Sequence, residues 1–355
     1  MVVGLALGWV ADAALGDPRR GHPVALLGSW AGWVEARTHR DSRAAGVLTE
    51  VVVLAPALAL GAVAQQLPPR ARAGATAALT WAALGGTSLG REGLAVHALL
   101  ASGDLPGART RVRNLVGRIT DDLTEDEVAR AALESVAENT SDAVVGTLVW
   151  GAALGPLGIV LHRAANTLDA MHGHRTPRYA RFGWAAARLD DVLGWLPARA
   201  TVLATAAAVP LRPGAVVVTA VRDGRAHPSP NAGPVEAGFA AALGVRLGGR
   251  TVYASGAEDR VVMGHGPAPT TADLPRAVAL ARRVGVIALA AAVLVRQAVL
   301  RRTLTQRSSP RPPRASTPAR PPSRAAGGRR RPPRRRGSGR RRAWPRCSCL
   351  RSPWS

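Results

Sequence analysis

Long stretches without a formal charge most strongly restrict how this chain can fold. Residues 143–162, 51–69 and 73–90 form runs of 20, 19 and 18 residues without Asp, Glu, Lys or Arg. Since a helix of about 20 residues spans the roughly 30 Å hydrocarbon core of a bilayer, such runs are typical of transmembrane helices. Three weaker candidates, each interrupted by a charge or a proline, cover 1–16, 200–221 and 277–300. A soluble, alanine-rich protein with apolar core helices is the alternative.

These runs predict an all-α fold, a polytopic membrane protein with about four to six helical membrane segments and polar helical loops. The polar loops would cover 17–43, 101–142, 163–199 and 222–276. Residues 1–16 do not resemble a signal peptide, because no basic segment precedes them and Asp12 interrupts them. Arginines flank the second and last segments. The positive-inside rule therefore places those ends in the cytoplasm of a multi-pass protein of the cell membrane.

Positive charge is concentrated near the C-terminus. The chain has 47 Arg, no Lys and 23 acids, for a net charge of +24, but residues 301–355 alone hold 18 Arg, 10 Pro and no acid. Residues 1–300 therefore carry 29 Arg against 23 acids. A segment so rich in Arg and Pro cannot bury enough apolar surface to fold. We predict a membrane domain over 1–300 and a disordered tail over 301–355. An out-of-frame reading of GC-rich DNA would also produce the Arg- and Pro-rich composition of this tail.

The tail also limits which kinds of site the body can hold. Both cysteines, Cys347 and Cys349, lie there, so residues 1–300 have no disulfide and no cysteine-ligated metal site. Only Trp344 and Trp354 interleave with its arginines, so nucleic-acid binding by base stacking is not expected. Binding of anionic lipid or nucleic acid by charge alone stays an alternative, which deletion of the tail would test.

An acidic helix precedes the longest apolar run. Thr124 and the acids that follow it form a capping pattern that predicts a helix start. Glu134, Glu138 and Asp142 follow at i, i+4 and i+8, on one helix face. Acids that lead into a membrane segment are costly and usually mark a functional site. With the amide of Asn139 they suit Mg²⁺ with phosphate, or a cationic amine. A solvated helix end is the alternative.

Two other loops carry polar residues close to an apolar run. Gly16-Asp17-Pro18, followed by His22, forms a turn after the first run. Asn166 and Asp169 are i, i+3 neighbours that follow 143–162. His172 and His174 are two residues apart, so both side chains could bind one metal ion if the segment were a strand. Because a helix or loop is expected here, a histidine metal site is not favoured.

Arginines and a proline-rich loop fill the remaining polar stretches. Guanidinium groups at Arg175 and Arg188 suit phosphate or carboxylate ligands, although a solvated basic face is an equal alternative. Adjacent Asp190 and Asp191 leave a helix in different directions, so at most one faces a given ligand. Prolines restrict the loop that carries Arg222, Arg225, His227 and Asn231, as suits a binding site. The glycine-rich stretch 243–249 is not a Walker loop, because the chain has no lysine.

Taken together, these stretches resemble the CobD/CbiB family of cobalamin biosynthesis, the adenosylcobinamide-phosphate synthases. The similarity covers about residues 1–300 and is strongest at Glu-Asn-Thr-Ser-Asp (138–142) and His-Pro-Ser-Pro-Asn-Ala-Gly (227–233). Ala143, Gly146 and Thr147 depart from the usual family residues, but no motif carboxylate or Asn is lost. The Arg/Pro tail has no family counterpart that we recognise.

The resemblance implies a membrane enzyme that joins adenosylcobyric acid to (R)-1-amino-2-propanol or its O-phosphate through an amide bond. The partners would be the corrinoid, the amine and the lipid bilayer. ATP and Mg²⁺ are the expected cofactors, because a carboxylate oxygen must be activated before an amine displaces it.

Site roles follow from this chemistry at the matching positions. Metal or amine binding would fall to Glu134, Glu138 and Asp142, and catalysis to Glu138, Asp142, Asp190 and Asp191, with one of the last pair as base. Substrate binding would fall to Asp17, His22, Asn139, Asn166, Asp169, Arg175, Arg188, Arg222, Arg225, His227 and Asn231. A transporter that uses intramembrane carboxylates as an ion path is the alternative; it predicts inverted repeats, and none is seen.

Overall fold

Helices form most of the fold, as the uncharged runs predict. The computed structural model describes residues 1–18, 21–174, 176–253 and 256–308, and Met1–Ser308 form one compact unit. Arg175 and residues 309–355, which include most of the predicted tail, lie outside the described residues. The backbone stays helical to Ser308, past the predicted domain boundary at residue 300.

The helices follow one another with short connections. In chain order they are α1 (Val2–Leu15), α2 (Pro23–Thr38), α3 (Arg43–Gln66), α4 (Pro69–Leu84), α5 (Gly86–Ala101), α6 (Leu105–Val112), α7 (Glu125–Asn139), α8 (Gly146–Leu154), α9 (Pro156–His172), α10 (Trp184–Ala208), α11 (Pro213–Arg222), α12 (Ala232–Leu243) and α13 (Asp273–Ser308). A π-helical turn, Thr140–Val145, joins α7 to α8, and a 3₁₀ turn, Gly224–Ala226, follows α11. The predicted cap at Thr124 is present as a complete capping box at the start of α7.

Two of the predicted membrane runs are each divided at a glycine. Gly85 (φ 63°) ends α4 within 73–90, and Gly155 (φ 68°) separates α8 from α9 within 143–162. Left-handed backbone costs any residue with a Cβ but not glycine, and Pro156 then opens the next helix. Neither run forms one continuous helix, because these positions stop a helix where hydropathy alone would continue it.

Within the part of the chain that the structure describes, two helices are long and apolar enough to cross a bilayer. They are α3 and the Asp273–Val299 part of α13, with mean hydropathy of 2.2 and 2.1 over their most apolar windows. Both leave large apolar side chains more than half exposed, Leu48 and Val51 on α3 and Leu294 and Val295 on α13. Contiguous exposed apolar surface marks a face that meets lipid or a partner. By length and composition, the described residues contain two candidate spans, and the expected number of four to six is not shown.

A β-hairpin departs from the all-α prediction. Strand β1 (Leu247–Tyr253) pairs antiparallel with β2 (Gly256–Met263), inside the segment predicted to be a polar helical loop. The register shifts between Leu247 and Gly249, and Gly248 there has φ 83°. A Cβ on Gly248 would collide with the carbonyl oxygen of Val261, so this glycine allows the close approach of the two strands. The glycine-rich stretch thus begins a hairpin.

The main core surrounds α7. Val128, Leu133 and Val136 are fully buried against α5, α12 and α13. A smaller core joins α2, α3, α9 and α10, with Val53 and Leu168 at its centre. Because α7, α9, α10 and α12 meet between these two cores, polar residues at their ends converge on a common space.

Candidate functional site

Carboxylates from four elements converge on one cavity of about 530 Å³. Glu138 comes from the end of α7, Asp142 from the π-helical turn, Asp169 from α9, and the adjacent pair Asp190 and Asp191 from α10. The loop after α11 closes the cavity with His227, Ser229 and Asn231, and the hairpin adds Glu258 and Arg260. We call this space the acidic cavity. It gathers seven of the predicted site residues, which lie up to 93 positions apart in the chain.

The π-helical turn shapes the acidic cavity. Its backbone hydrogen bonds join residues five apart instead of four, which widens the helix just after Glu138. Such π-helical turns occur frequently at functional sites. Thr140 Oγ1 donates to the Val136 carbonyl at 2.6 Å, and Asn139 Nδ2 donates to the Ser135 carbonyl at 3.0 Å. These bonds hold the widened turn, and both Glu138 and Asp142 face the cavity. The Asn139 side chain hydrogen-bonds the backbone of its own helix and does not line the acidic cavity.

Glu134 shares the predicted stripe but not the cavity. One Glu134 oxygen accepts a hydrogen bond from the Arg118 guanidinium at 2.5 Å, and the other accepts one from the Gly248 N–H at 2.8 Å. All three residues are buried. Both carboxylate oxygens are therefore used to hold the hairpin and the segment before α7 against this helix. The structure gives Glu134 a supporting position outside the acidic cavity, and its role in metal binding stays a prediction.

A chain of polar contacts supports the α9 and α10 carboxylates. Arg163 donates to Asn166 Oδ1 at 3.2 Å, and the Asn166 side chain in turn hydrogen-bonds Asp190. The charge of Arg163 also acts on Asp142 and on Asp17. Asn166 therefore contacts a catalytic candidate and does not line the cavity itself.

Burial and mutual repulsion make these carboxylates weak acids. Burial, reinforced by Asp169, raises the pKa of Asp190 to about 7, and burial with Asp191 raises that of Asp169 to about 6. Burial also raises the pKa of Glu138 and lifts that of Asp142 well above its usual range. The positive charges of Arg260 and Arg118 near Glu138, and of Arg163 near Asp142, only partly offset this rise in pKa. Such a cluster attracts protons or an added cation.

A second cavity of about 450 Å³ adjoins the acidic one. Tyr179 and Trp184 form its aromatic side, and Arg188 and Arg225 supply its positive charge. Both cavities share wall residues from α9, α10 and the proline-rich loop, namely Gly173, His174, Ala187, Asp191, His227 and Pro228. We call this second space the basic cavity.

Asn231 has a structural position within the site. Its Nδ2 donates to the Asp191 carbonyl at 2.9 Å, and its Oδ1 accepts from Arg199 at 2.9 Å. Gly194 allows this packing, because a Cβ there would lie 2.6 Å from Asn231 Nδ2. Asn231 therefore fixes the loop against α10 in addition to lining the acidic cavity.

Three further predicted substrate ligands, like Asn139 and Asn166, do not line either cavity. His22 accepts the Val24 N–H at 3.1 Å and caps α2. The Asp17 backbone N–H donates to Ser88 Oγ at 3.4 Å, near α5. Arg222 pairs with Asp223 at 2.6 Å, and Asp223 in turn accepts the Gly264 N–H. These residues shape helix ends and turns.

The sequence interpretation missed several residues of the site. Glu258 and Arg260 were overlooked because they lie on the unrecognised hairpin, and Arg163 because it directly follows an apolar run. Glu236 on α12 is buried with its Oε1 3.9 Å from His227 Nε2. The signal that could have found Glu236 was an acid in an otherwise apolar helix.

Metal binding by protein groups alone is not supported among the described residues. No three His, Cys, Asp or Glu side chains there gather closely enough to hold an ion by themselves. Mg²⁺, however, usually takes one or two carboxylates and completes its shell with water and substrate phosphates. Of the predicted trio of Glu134, Glu138 and Asp142, the last two line the acidic cavity and influence each other electrostatically.

Comparison with known proteins gives consistent matches. A family model described as CobD/Cbib protein matches residues 5–281. The chain is 48% identical over 304 residues to the cobalamin biosynthesis protein CobD of Mycobacterium tuberculosis, covering 84% of this chain and 96% of that protein. It is 44% identical to the Rhodobacter capsulatus protein of that name over 287 residues, covering 79% and 90%. No significant match to a solved structure was found.

Proposed function

This chain belongs to the CobD/CbiB family of cobalamin biosynthesis proteins, and we propose that it is an ATP-dependent ligase that forms an amide bond on a corrinoid. The motif resemblance is thereby confirmed at the level of the family. The proposed reaction joins adenosylcobyric acid to (R)-1-amino-2-propanol or its O-phosphate, giving adenosylcobinamide or its phosphate. The acidic cavity, where six carboxylates from five elements meet one lining arginine, Arg260, carries the proposal.

The acidic cavity suits an amine substrate. The amine reaches the protein as an ammonium ion, which the carboxylates of Glu138, Asp142 and Asp169 attract. It attacks a carbonyl only after losing a proton. Asp190, with a pKa of about 7, is matched to accept that proton near neutral pH. The hydrogen bond from Asn166 orients the Asp190 carboxylate for this transfer.

The residues also fit the expected Mg²⁺ and ATP. Glu138 and Asp142 are hard oxygen donors that line the cavity, so they would hold Mg²⁺ together with phosphate oxygens. When bound, MgATP supplies the activation that makes the corrin carboxylate oxygen a leaving group. The cationic side chains of Arg188 and Arg225 would stabilise negative charge beside the reacting groups.

We also propose that the chain acts in the cell membrane. The two candidate spans, α3 and α13, expose rows of large apolar side chains, and so does α1 at Val3, Leu7 and Val10. Membrane fractions washed with alkaline carbonate test this. The chain should stay in the pellet, and its release into the supernatant would contradict membrane integration.

A direct assay tests the ligase. Membranes that contain the chain are supplied with adenosylcobyric acid, MgATP and either amine, and the products are identified by mass spectrometry. We expect an amide product with at least one amine, and its loss in Asp190→Asn. The matched control is Asp122→Asn, an exposed acid outside both cavities. If neither amine yields product while the chain is present and folded, the proposal fails.

A further inference from the structure

The basic cavity has an aromatic side whose orientation is fixed. The Tyr179 hydroxyl donates to Glu35 Oε1 at 2.9 Å, which holds the ring in place. Trp184, the first residue of α10, is 40% exposed, and the Arg43 guanidinium lies 5.1 Å from its ring. Flat, uncharged rings stack on such side chains. This side of the cavity therefore suits a planar base.

Its cations are available to a ligand. Among the residues that the structure describes, no carboxylate lies within ion-pair distance of Arg225. The one ion pair of Arg188 among the described residues is with Asp191, at 3.3 Å and one helical turn away. The Arg188 side chain is mostly exposed to solvent. An exposed pair of this kind contributes little, so a polyphosphate can replace it. Guanidinium groups bind phosphate oxygens through paired, directional hydrogen bonds.

His227 forms part of the wall that both cavities share. It is 8% exposed, and its Nδ1 lies 3.1 Å from the Ser229 N–H and 3.3 Å from the Ser229 carbonyl. The N–H can only donate, so Nδ1 accepts the shorter bond and Nε2 carries the proton of the neutral ring. Nε2 has no hydrogen-bond partner within the described residues, and Glu236 Oε1 is 3.9 Å away. This buried N–H faces α12, so His227 shapes the shared wall and offers the cavity no exposed donor.

We propose that the basic cavity binds the nucleoside triphosphate, with the base against Tyr179 and Trp184 and the phosphates on Arg188 and Arg225. The inference rests on the proposed ligase function and assigns a nucleotide site to a chain without a Walker motif. The shared wall brings the phosphate end of the cavity next to Glu138 and Asp142, the two candidate Mg²⁺ ligands.

A corrin carboxylate is the rival occupant of this cavity. It carries one negative charge and needs one guanidinium, whereas two arginines match a chain of phosphates. The cavity volume of about 450 Å³ also lies in the range of small-ligand pockets. The nucleotide accounts for more of the cavity's features than the corrin does.

Binding to the full-length protein in detergent tests the assignment without requiring turnover. Affinity for MgATP is measured by displacement of a fluorescent ATP analogue, and 8-azido-ATP with Mg²⁺ is crosslinked and its attachment site mapped. We expect crosslinks within 176–188 or 225–230. Arg225→Ala and Arg188→Ala should each weaken ATP binding about tenfold or more, because each removes a charge-assisted hydrogen bond. Arg212→Ala, an exposed arginine away from both cavities, should keep wild-type affinity.

Three results would overturn the nucleotide site. They are crosslinks confined to other segments, ATP affinity unchanged in both arginine variants, or loss of adenosylcobyric acid binding with ATP binding intact. Because both arginines are exposed, the variants should fold, which an unchanged unfolding midpoint verifies. ATP binding here without any ligation would contradict the ligase alone. Ligation with ATP bound elsewhere would contradict the site alone.

Discussion

The side chain of Asn231 links the two sides of the acidic cavity, because its Nδ2 donates to the carbonyl oxygen of Asp191 at 2.9 Å. The bond spans 40 residues of sequence and joins the proline-rich loop to α10. Arg199 completes the link by donating to Asn231 Oδ1. The position of His227, four residues earlier, therefore depends on this one amide.

Replacing Asn231 with alanine should loosen the loop and lower both stability and ligation. The change leaves the Asp191 carbonyl and the Arg199 guanidinium without their partner, at a cost of about 1–3 kcal/mol in the free energy of unfolding. Denaturant unfolding of the detergent-solubilised protein measures this. Asn114→Ala, an exposed amide bonded to Glu92, should change stability by less than about 0.5 kcal/mol. Equal effects of the two variants would contradict a special role for Asn231.

Glu134 and Glu138, one helical turn apart, should respond oppositely to conversion to glutamine. Glu134→Gln breaks a buried ion pair and leaves Arg118 uncompensated, which typically costs about 3–5 kcal/mol in the free energy of unfolding. Glu138→Gln removes a carboxylate that burial and its neighbours already disfavour, so stability should stay the same or rise.

Ligation should show the reverse order for this pair. Glu138→Gln should lower activity by more than about tenfold, since it removes a charged ligand of the proposed cation. The fraction of Glu134→Gln that stays folded should remain active. Unfolding midpoints and ligation rates of the same preparations decide the outcome, and a stable, inactive Glu134→Gln protein would restore Glu134 to the site.

Removal of residues after Ser308 should leave ligation within about twofold of the full chain. The segment is rich in Arg and Pro, and the family match ends at residue 281. A longer truncation that removes α13 is the control. It deletes Val278 and Val284 from the main core and should abolish folded protein. Loss of activity in the shorter truncation, at normal protein levels, would show that the tail contributes.

Local patterns in the sequence predict the acidic stripe but not its partners. The i, i+4 spacing places Glu138 and Asp142 on one side of the chain, and both face the cavity. It equally includes Glu134, whose partners Arg118 and Gly248 lie 16 and 114 residues away. Which carboxylate is neutralised depends on these distant contacts, so a helical pattern cannot distinguish structural from functional acids.

Breaks in the backbone explain why two of the predicted membrane runs do not form single helices. Hydropathy treats 143–162 as one run because alanine, glycine and valine carry no charge. The Gly155-Pro156 pair nevertheless signals a break, which the hydropathy of the run conceals. The hairpin was harder to foresee, since β1 and β2 are short, charged and glycine-interrupted, and only their pairing brings Glu258 and Arg260 to the site.

The stability of the Mg²⁺-free protein should fall between about pH 4 and pH 7 through Asp190. An Asp pKa is 3.8 when unperturbed and about 7 for Asp190 in the folded protein, so the folded chain retains a proton that the unfolded chain releases across this range. Stability from this proton is complete below pH 3.8 and lost as pH rises through 7. Unfolding midpoints from pH 4 to 8 measure the slope. Asp190→Asn should make the slope shallower, with Asp169 and the other raised carboxylates contributing the remainder, and Asp122→Asn should leave it unchanged. A wild-type slope in Asp190→Asn would place the titrating group elsewhere.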